Sequence, residues 1–272
     1  MRVLITGGNG FIGQAVNHAL KQADHEALIF DRVYGDDIRD ADRVASAVEG
    51  MDAVIHLAGV LGTHELFDTP QLAVDVNVSG TLNVLDACRS YGASYVGITM
   101  PQVFPSIYTA TKVAATRLAS AYHHTWGIPV SHVRAFNAYG PGQKHGPGHP
   151  QKIVPTFATM AWQGEPIPVW GDGQQTVDLI HVDELARLLV DALRFGDDVT
   201  FDGGSGVEHT VEQIALMTNV IATSAAGIEF LPMRRGEQPT KLRAAGDGWA
   251  RLDWRPSWDL DLFVDAVRAY KP

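Results

Sequence analysis

Short apolar runs alternate with helically spaced apolar positions through the first half of the chain. Arg2 to Ile5 reads as a buried strand and Ile12 to Gln22 as the helix that follows it. The pattern repeats with a strand at Ala27 to Phe30, a helix at Ala41 to Val48 and a strand at Ala53 to Leu57. Val78, Leu82 and Leu85 set a helical stripe within Val74 to Tyr91. A strand at Tyr95 to Thr99, a long helix at Tyr108 to Trp126 and a strand at Val130 to Arg134 complete the series. Strands this short and this rich in Val and Ile belong to a sheet buried on both faces. Strand–helix alternation makes that sheet parallel.

Beyond Tyr139 the texture changes. Gly140-Pro141-Gly142, Gly146-Pro147-Gly148 and Pro150 form a stretch in which no helix persists. Ile153 to Trp162 is helical again, and a Pro/Gly-rich passage runs on to Gly173. His181 to Leu193 is amphipathic, with Val182, Leu185, Leu188 and Leu189 on one side, and Thr200-Phe201 reads as a last sheet strand. The expected fold is α/β: a Rossmann-type, doubly wound parallel sheet with a smaller, interleaved C-terminal substrate lobe. Residues 1–141 plus about 178–203 are assigned to the first unit, and about 142–177 plus 204–272 to the second. There is no internal repeat.

Composition narrows the function. The 272 residues are 46% hydrophobic and 19% charged, an ordinary globular mixture. A formal charge of -10 disfavours nucleic acid and anionic membrane as partners. It still permits a small anionic ligand held by a local Arg or a helix N-terminus. Cys88 is the one cysteine, so no intrachain disulfide forms and a reducing compartment fits. With no leader-like pattern at the start and no apolar run of membrane-spanning length, the cytoplasm is the expected location.

Candidate chemistry begins at the first turn. In Thr6-Gly7-Gly8-Asn9-Gly10-Phe11-Ile12-Gly13, glycines 7, 10 and 13 lie between a strand and a helix. That spacing gives a tight turn and lets a pyrophosphate approach the helix N-terminus. Asp31 ends the second strand 18 residues past Gly13, where a carboxylate accepts from adenosine ribose hydroxyls and repels a 2′-phosphate. NAD is favoured over NADP, although Arg32 next to Asp31 is of the type that accommodates the phosphate. Tyr108 and Lys112 stand four residues apart on one helical face. A phenol of pKa about 10 needs a nearby cation to act as a base near neutrality, and Lys112 is placed to supply one. His145, His149 and His181 do not fall at a metal-ligand spacing, and Trp249, Trp254 and Trp258 read as packing in the small lobe.

With these motifs in order, the chain resembles the extended short-chain dehydrogenase/reductase family, also called the NAD-dependent epimerase/dehydratase family and typified by UDP-galactose (UDP-glucose) 4-epimerase. The resemblance is carried by the glycine turn, Asp37-Ile38, His56-Leu57-Ala58-Gly59, Asn77-Val78-Ser79-Gly80-Thr81 and the Tyr108/Lys112 pair. It continues through Arg134 to Pro141, Gly171-Asp172-Gly173-Gln174-Gln175, His181 to Glu184, Arg235-Gly236-Glu237 and Asp253 to Pro256. It implies an NAD site made by Gly7, Gly10, Phe11, Ile12, Gly13, Asp31, Arg32, Asp37, Ile38, Leu57, Ala58, Gly59 and Asn77, with Tyr108 and Lys112 beside the reacting ring. For a nucleotide-sugar substrate it implies contacts from Asn137, Val154, Val169, Gln175 and Arg235, the last pairing with the diphosphate. A homodimer through the helices of Val74–Tyr91 and Tyr108–Trp126 is also implied.

Three departures bear on the reaction. The Ser or Thr that relatives place before the tyrosine is Met100, whose thioether donates no hydrogen bond; Thr99 is adjacent but alternates to the other face. Pro105-Ser106-Ile107 alone separates Phe104 from Tyr108, where relatives place a longer loop over the sugar, so the sugar site should be more open. After Thr176, Val177 replaces a diphosphate-binding Arg, with Lys144, Lys152 and Arg234 as candidate substitutes. The Asp-Glu pair of family dehydratases is Pro101-Gln102 here. Tyr108 and Lys112 with NAD therefore point to a nucleotide-sugar epimerase, a 4-epimerase first. A dehydratase or dehydrogenase of the same family is the alternative, and a catalytically degenerate NAD-binding protein the second alternative.

Overall fold

The computed structural model describes residues 1–101, 103–146, 149 and 151–272. Gln102, Pro147, Gly148 and Pro150, each named above, lie outside the described residues.

The strands β1 (Arg2–Thr6), β2 (Glu26–Phe30), β3 (Ala53–His56), β4 (Ser94–Thr99), β5 (Val130–Ala135) and, late in the chain, β9 (Asp197–Gly203) form one sheet. Its order is β2-β1-β3-β4-β5-β9, and every pairing is parallel. Alternation explains its double burial. Val3 and Ile5 pack on one face with Val16 and Leu20 of α1 (Phe11–Gln22) and Leu185 and Leu189 of α7 (Val182–Asp191). Leu4 and Val54 pack on the other with Val44 of α2 (Ala41–Val48) and Val84 and Leu85 of α4 (Gly80–Tyr91). Each fully buried aliphatic contributes roughly 1.5–3 kcal/mol. The chain leaves β1 for β2 on one side and returns to β3 on the other, so a crevice opens at the carboxyl ends of β1 and β3, where such sheets bind ligands.

Val74 to Tyr91 is one helical run with a change of pitch. A short α3 (Pro70–Ala73) leads into a π-helical stretch, Val74–Ser79, and then into α4. The widened turn carries Asn77, whose side chain is spent on internal hydrogen bonds. Oδ1 accepts from Val60 N at 2.9 Å, and Nδ2 donates to Val60 O and Thr111 Oγ1 at 3.1 Å each. Helix α5 (Ile107–Trp126) starts from Ser106, whose Oγ accepts from Thr109 N at 3.1 Å.

The second half builds β6 (Asn137–Tyr139), α6 (Ile153–Gln163), β7 (Ile167–Trp170), β8 (Thr176–His181), β10 (Glu208–Thr210), α8 (Val211–Ala222), β11 (Ile228–Leu231) and α9 (Leu260–Arg268). β8 pairs with β6 and β10, and β7 with β11. Tyr139, Phe157, Ile167, Leu179, Ile214 and Phe263 form a third apolar cluster there. The amphipathic run from His181 is a helix to Asp191 followed by a 3-10 turn, Ala192–Arg194, with His181 as its N-cap. Trp258 packs in the third cluster, whereas Trp254 packs against the second, under the sheet, with Arg187 4.0 Å above its ring.

Candidate active site

The crevice deepens into a cavity of about 860 Å³ running from the glycine turn to the loops around α6. Its walls are the carboxyl ends of the strands: Gly7 after β1, Leu57 and Ala58 after β3, Thr99 and Met100 at β4, Ala135 at β5.

At one end the backbone is shaped for close approach. Gly7 has φ +71°, and a Cβ there would meet Ala58 N at 2.8 Å. A Cβ on Gly13 would press into the Gly7 carbonyl and lie 2.6 Å from Gly8 Cα. Gly10 caps α1 without a side chain, and no acidic residue stands in the first turn. The first amides of α1 are thus left for an anion, as a pyrophosphate requires. Asp31 ties this turn to β2, accepting from Asn9 N at 2.9 Å and Val33 N at 3.0 Å. The remaining lone pairs of its carboxylate suit ribose hydroxyls. Arg32, Asp37 and Ile38 line the same end. The Arg39 guanidinium hydrogen-bonded to Asp37 holds that carboxyl down to about 2. The donor set and the glycine cradle therefore fit a dinucleotide.

Phe11, Ile12, Leu57, Ala58 and Gly59 line the cavity as well. Asn77 does not. It is 2% exposed and sits behind Gly59, where a Cβ would be 2.9 Å from its Oδ1. The expected cofactor contact is replaced by a bracing role: Asn77 positions Val60 and α5 from behind the wall. His56 is similarly internal, held between Thr6 Oγ1 at 2.7 Å and Thr81 Oγ1 at 3.0 Å, and burial lowers its pKa to about 3, so it stays neutral.

Midway along, Tyr108 and Lys112 face the cavity from the first turns of α5. Burial pushes the phenol up to about 12 and the ammonium down to about 8. Both shifts come from removal of water around the charged form. Met100 lines the same stretch. Thr99 lies in the wall, but its Oγ1 is 2.8 Å from Thr116 Oγ1, so its hydroxyl is engaged by α5. The end of the connector before α5 is pinned: Ser106 Oγ and Thr109 Oγ1 are 2.9 Å apart, and Thr109 Oγ1 donates to Phe104 O at 3.4 Å.

At the far end the substrate residues divide. Asn137 and Val154 line the cavity. Val169 does not; it is fully buried in β7. Gln175 is turned to the backbone, donating to Trp170 O at 2.6 Å. Arg235 lies outside, exposed, with its guanidinium 5.7 Å from the Phe67 ring centroid. Val177 is 5% exposed within the third cluster. Val60, Gln143 and His181 line the cavity without having been singled out as binding residues. Gln143 follows the Gly-Pro-Gly turn and His181 ends a buried strand, positions a turn and a strand end deliver to a crevice. Among the described residues no three His, Cys, Asp or Glu side chains converge as metal ligands.

A doubly wound parallel sheet, a glycine cradle at its switch point and a Tyr/Lys pair on the same cavity define a dinucleotide-dependent enzyme of the short-chain dehydrogenase/reductase type. The family model for the NAD dependent epimerase/dehydratase family matches residues 3–100 and 98–201, and the chain belongs to that family. It is 28% identical to the low-salt glycan biosynthesis protein Agl12 of Haloferax volcanii, over 99% of this chain and 98% of the relative. It is 31% identical to a dTDP-glucose 4,6-dehydratase of Streptomyces antibioticus over 68% of this chain and 66% of the relative. Among solved structures it is similar to the UDP-glucose 4-epimerase of Thermus thermophilus in complex with NAD, at 26% identity, TM-score 0.88, and coverage of 100% and 99%. The cofactor is NAD. The two matched segments of the family model meet at residues 98–100, where β4 ends.

Proposed function

We propose that this protein is a nucleotide-sugar epimerase, acting at the sugar 4-position, with Tyr108 as its acid/base and Lys112 as the cation that tunes it. The observation that carries the reading is the pair's presence on the cavity that also holds the glycine cradle. Bound NAD would supply the hydride acceptor and donor. Tyr108 takes the proton of the sugar hydroxyl and later returns it. A phenol raised to about 12 by burial cannot do this alone at neutral pH. Lys112, one helical turn away, favours the phenolate by charge. Met100 offers the reacting oxygen no donor, which leaves Tyr108 as the proposed hydrogen-bonding group of the pair's stretch of wall. Asn137 and Val154 are proposed to hold the substrate.

A dehydratase is the second reading, favoured by the likeness to the dTDP-glucose 4,6-dehydratase. It is weakened by Pro101, which moves no proton, at the position of that reaction's first carboxyl. The division into a nucleotide unit, 1–141 plus about 178–203, and a substrate lobe is supported by the separate third apolar cluster. A homodimer is supported by exposed Val74, Tyr91, Val113 and Trp126 on the α3–α4 run and α5. No described helix is long and apolar enough to cross a membrane, and a cytoplasmic location is part of the proposal.

The test is to incubate the NAD-loaded protein with UDP-, dTDP- and GDP-hexoses and follow products by NMR. Interconversion of 4-epimers without accumulating NADH is expected, and Tyr108→Phe should lower kcat by roughly 10²–10⁴ while leaving NAD affinity unchanged. A 4-keto-6-deoxy product would establish the dehydratase instead. No turnover of any sugar nucleotide, with turnover of another alcohol, would overturn the assignment of substrate.

A further inference from the structure

We infer that the substrate's diphosphate is held by Lys152, assisted by Lys144, rather than by arginine. This rests on the nucleotide-sugar reading and names the charge that reading needs. A nucleoside diphosphate carries negative charge that a cavity of this depth must neutralise. Arg234 and Arg235, the arginines the sequence nominates, and Arg134 at the end of β5 are otherwise engaged. Arg134 pairs with Asp202 at 3.1 Å and Asp247 at 3.2 Å. Arg234 pairs with Glu237 at 2.8 Å, donates to Gln151 Oε1 at 2.8 Å and lies 4.7 Å from the Trp170 ring centroid. Arg235 sits on Phe67 outside the cavity, and position 177 is a buried valine.

The cavity's own cations are few. Arg32 lies at the adenosine end beside Asp31, and Lys112 belongs to Tyr108. Among the described lining residues the other lysines are Lys144 in the loop after β6 and Lys152 at the head of α6, on the side of Asn137 and Val154. Neither makes an ion pair among the described residues. Lys152 is half-buried, and burial lowers its pKa against the opposing pull of Glu65. A desolvated ammonium without a contacting carboxylate is destabilising until an anion reaches it, so an anionic ligand is bound more tightly there. Lys144 is exposed at the mouth and is screened by water, so it adds less.

Titration calorimetry on the NAD-loaded protein tests this with UDP, dTDP and GDP as probes. For the nucleotide that binds, Lys152→Met should raise Kd roughly tenfold or more and Lys144→Met about two- to threefold. Lys152→Arg should restore most of the affinity, which a merely structural defect at the head of α6 would not allow. Arg235→Met should leave Kd unchanged, and the salt dependence of binding should weaken in Lys152→Met. Wild-type affinity in Lys152→Met, or a tenfold loss in Arg235→Met, would overturn the assignment. If the wild-type protein binds none of the three nucleotides, the nucleotide-sugar reading itself fails, a different result from a bound nucleotide indifferent to Lys152.

Discussion

Replacing Lys112 by methionine should make the protein more stable and leave it without turnover. Lys112 is 7% exposed and its folded pKa falls from 10.5 to about 8 because burial penalises the charged form. At about 1.36 kcal/mol per unit, a protonated Lys112 costs the folded state about 3 kcal/mol near neutrality. Methionine keeps much of the apolar stem and removes the charge. With an unfolding entropy of roughly 2.1 cal/mol/K per residue, that gain raises Tm by about 5 °C. The sign in pH follows from the depressed value. Between about 8 and 10.5 the unfolded chain binds more protons than the folded one, so wild-type stability rises with pH across that window. The penalty is complete below it and lost above it. Thermal and urea unfolding of the NAD-free proteins at about pH 7 and about pH 9.5 should show the variant's advantage falling by half or more. An advantage absent at the lower pH, or equal at both, would refute a desolvated ammonium in the folded state. A variant that still turned over sugar nucleotides at the wild-type rate would refute the charge's role in tuning Tyr108.

Three further outcomes are expected. Gly13→Ala forces a methyl against the Gly7 carbonyl and Gly8 Cα, so NAD affinity should fall at least tenfold and stability by roughly 1–3 kcal/mol, read by NAD titration and melting. Asp31→Ala strands the amides of Asn9 and Val33, which should cost about 1–3 kcal/mol and narrow the preference for NAD over NADP, measured as the ratio of their Kd values. Met100→Ser returns a hydroxyl donor to the cavity wall and should raise kcat about tenfold with little change in KM. An unchanged kcat would mean that the reacting oxygen does not pass that wall.

The sheet was legible where each strand carries only apolar side chains to both faces, as Val3, Leu4 and Ile5 do. It was not legible where polar residues are buried for a structural reason. β8 holds Asp178, fully buried, whose carboxylate accepts from Ser205 N at 2.6 Å, Ser205 Oγ at 2.8 Å, Gly206 N at 2.9 Å and Ala244 N at 2.8 Å. A strand with such a residue does not read as core until its partners are known. Pro168 conceals β7 in the same way, and is tolerated because among the described residues β7 borders only β11. Helix α8, which was not read from the sequence, starts at a capping box formed by Thr210 and Gln213. In the site, the glycine cradle and the Tyr/Lys pair follow from local spacing. Val169, Gln175, Arg235 and Asn77 depended on which side of a wall each would face, and linear order does not contain that.

The shortened connector before Tyr108 and the displacement of Arg235 have a common geometry. β4 ends at Thr99 and α5 starts at Ile107, with Ser106 and Thr109 pinning the end of the short connector between them. The loop after β3 meets the segment that carries Arg235. Phe67 lies against Gly236, where a Cβ would be 2.8 Å from its Cζ, and His64 stands 3.7 Å from Glu237. Leu61 of the same loop lines the cavity. The loop after β3 is therefore in contact with the Arg235 segment, whose guanidinium lies 5.7 Å from the Phe67 ring centroid. An arginine so placed does not line the cavity, and on the reading proposed above the charge comes from Lys152 and Lys144, which do.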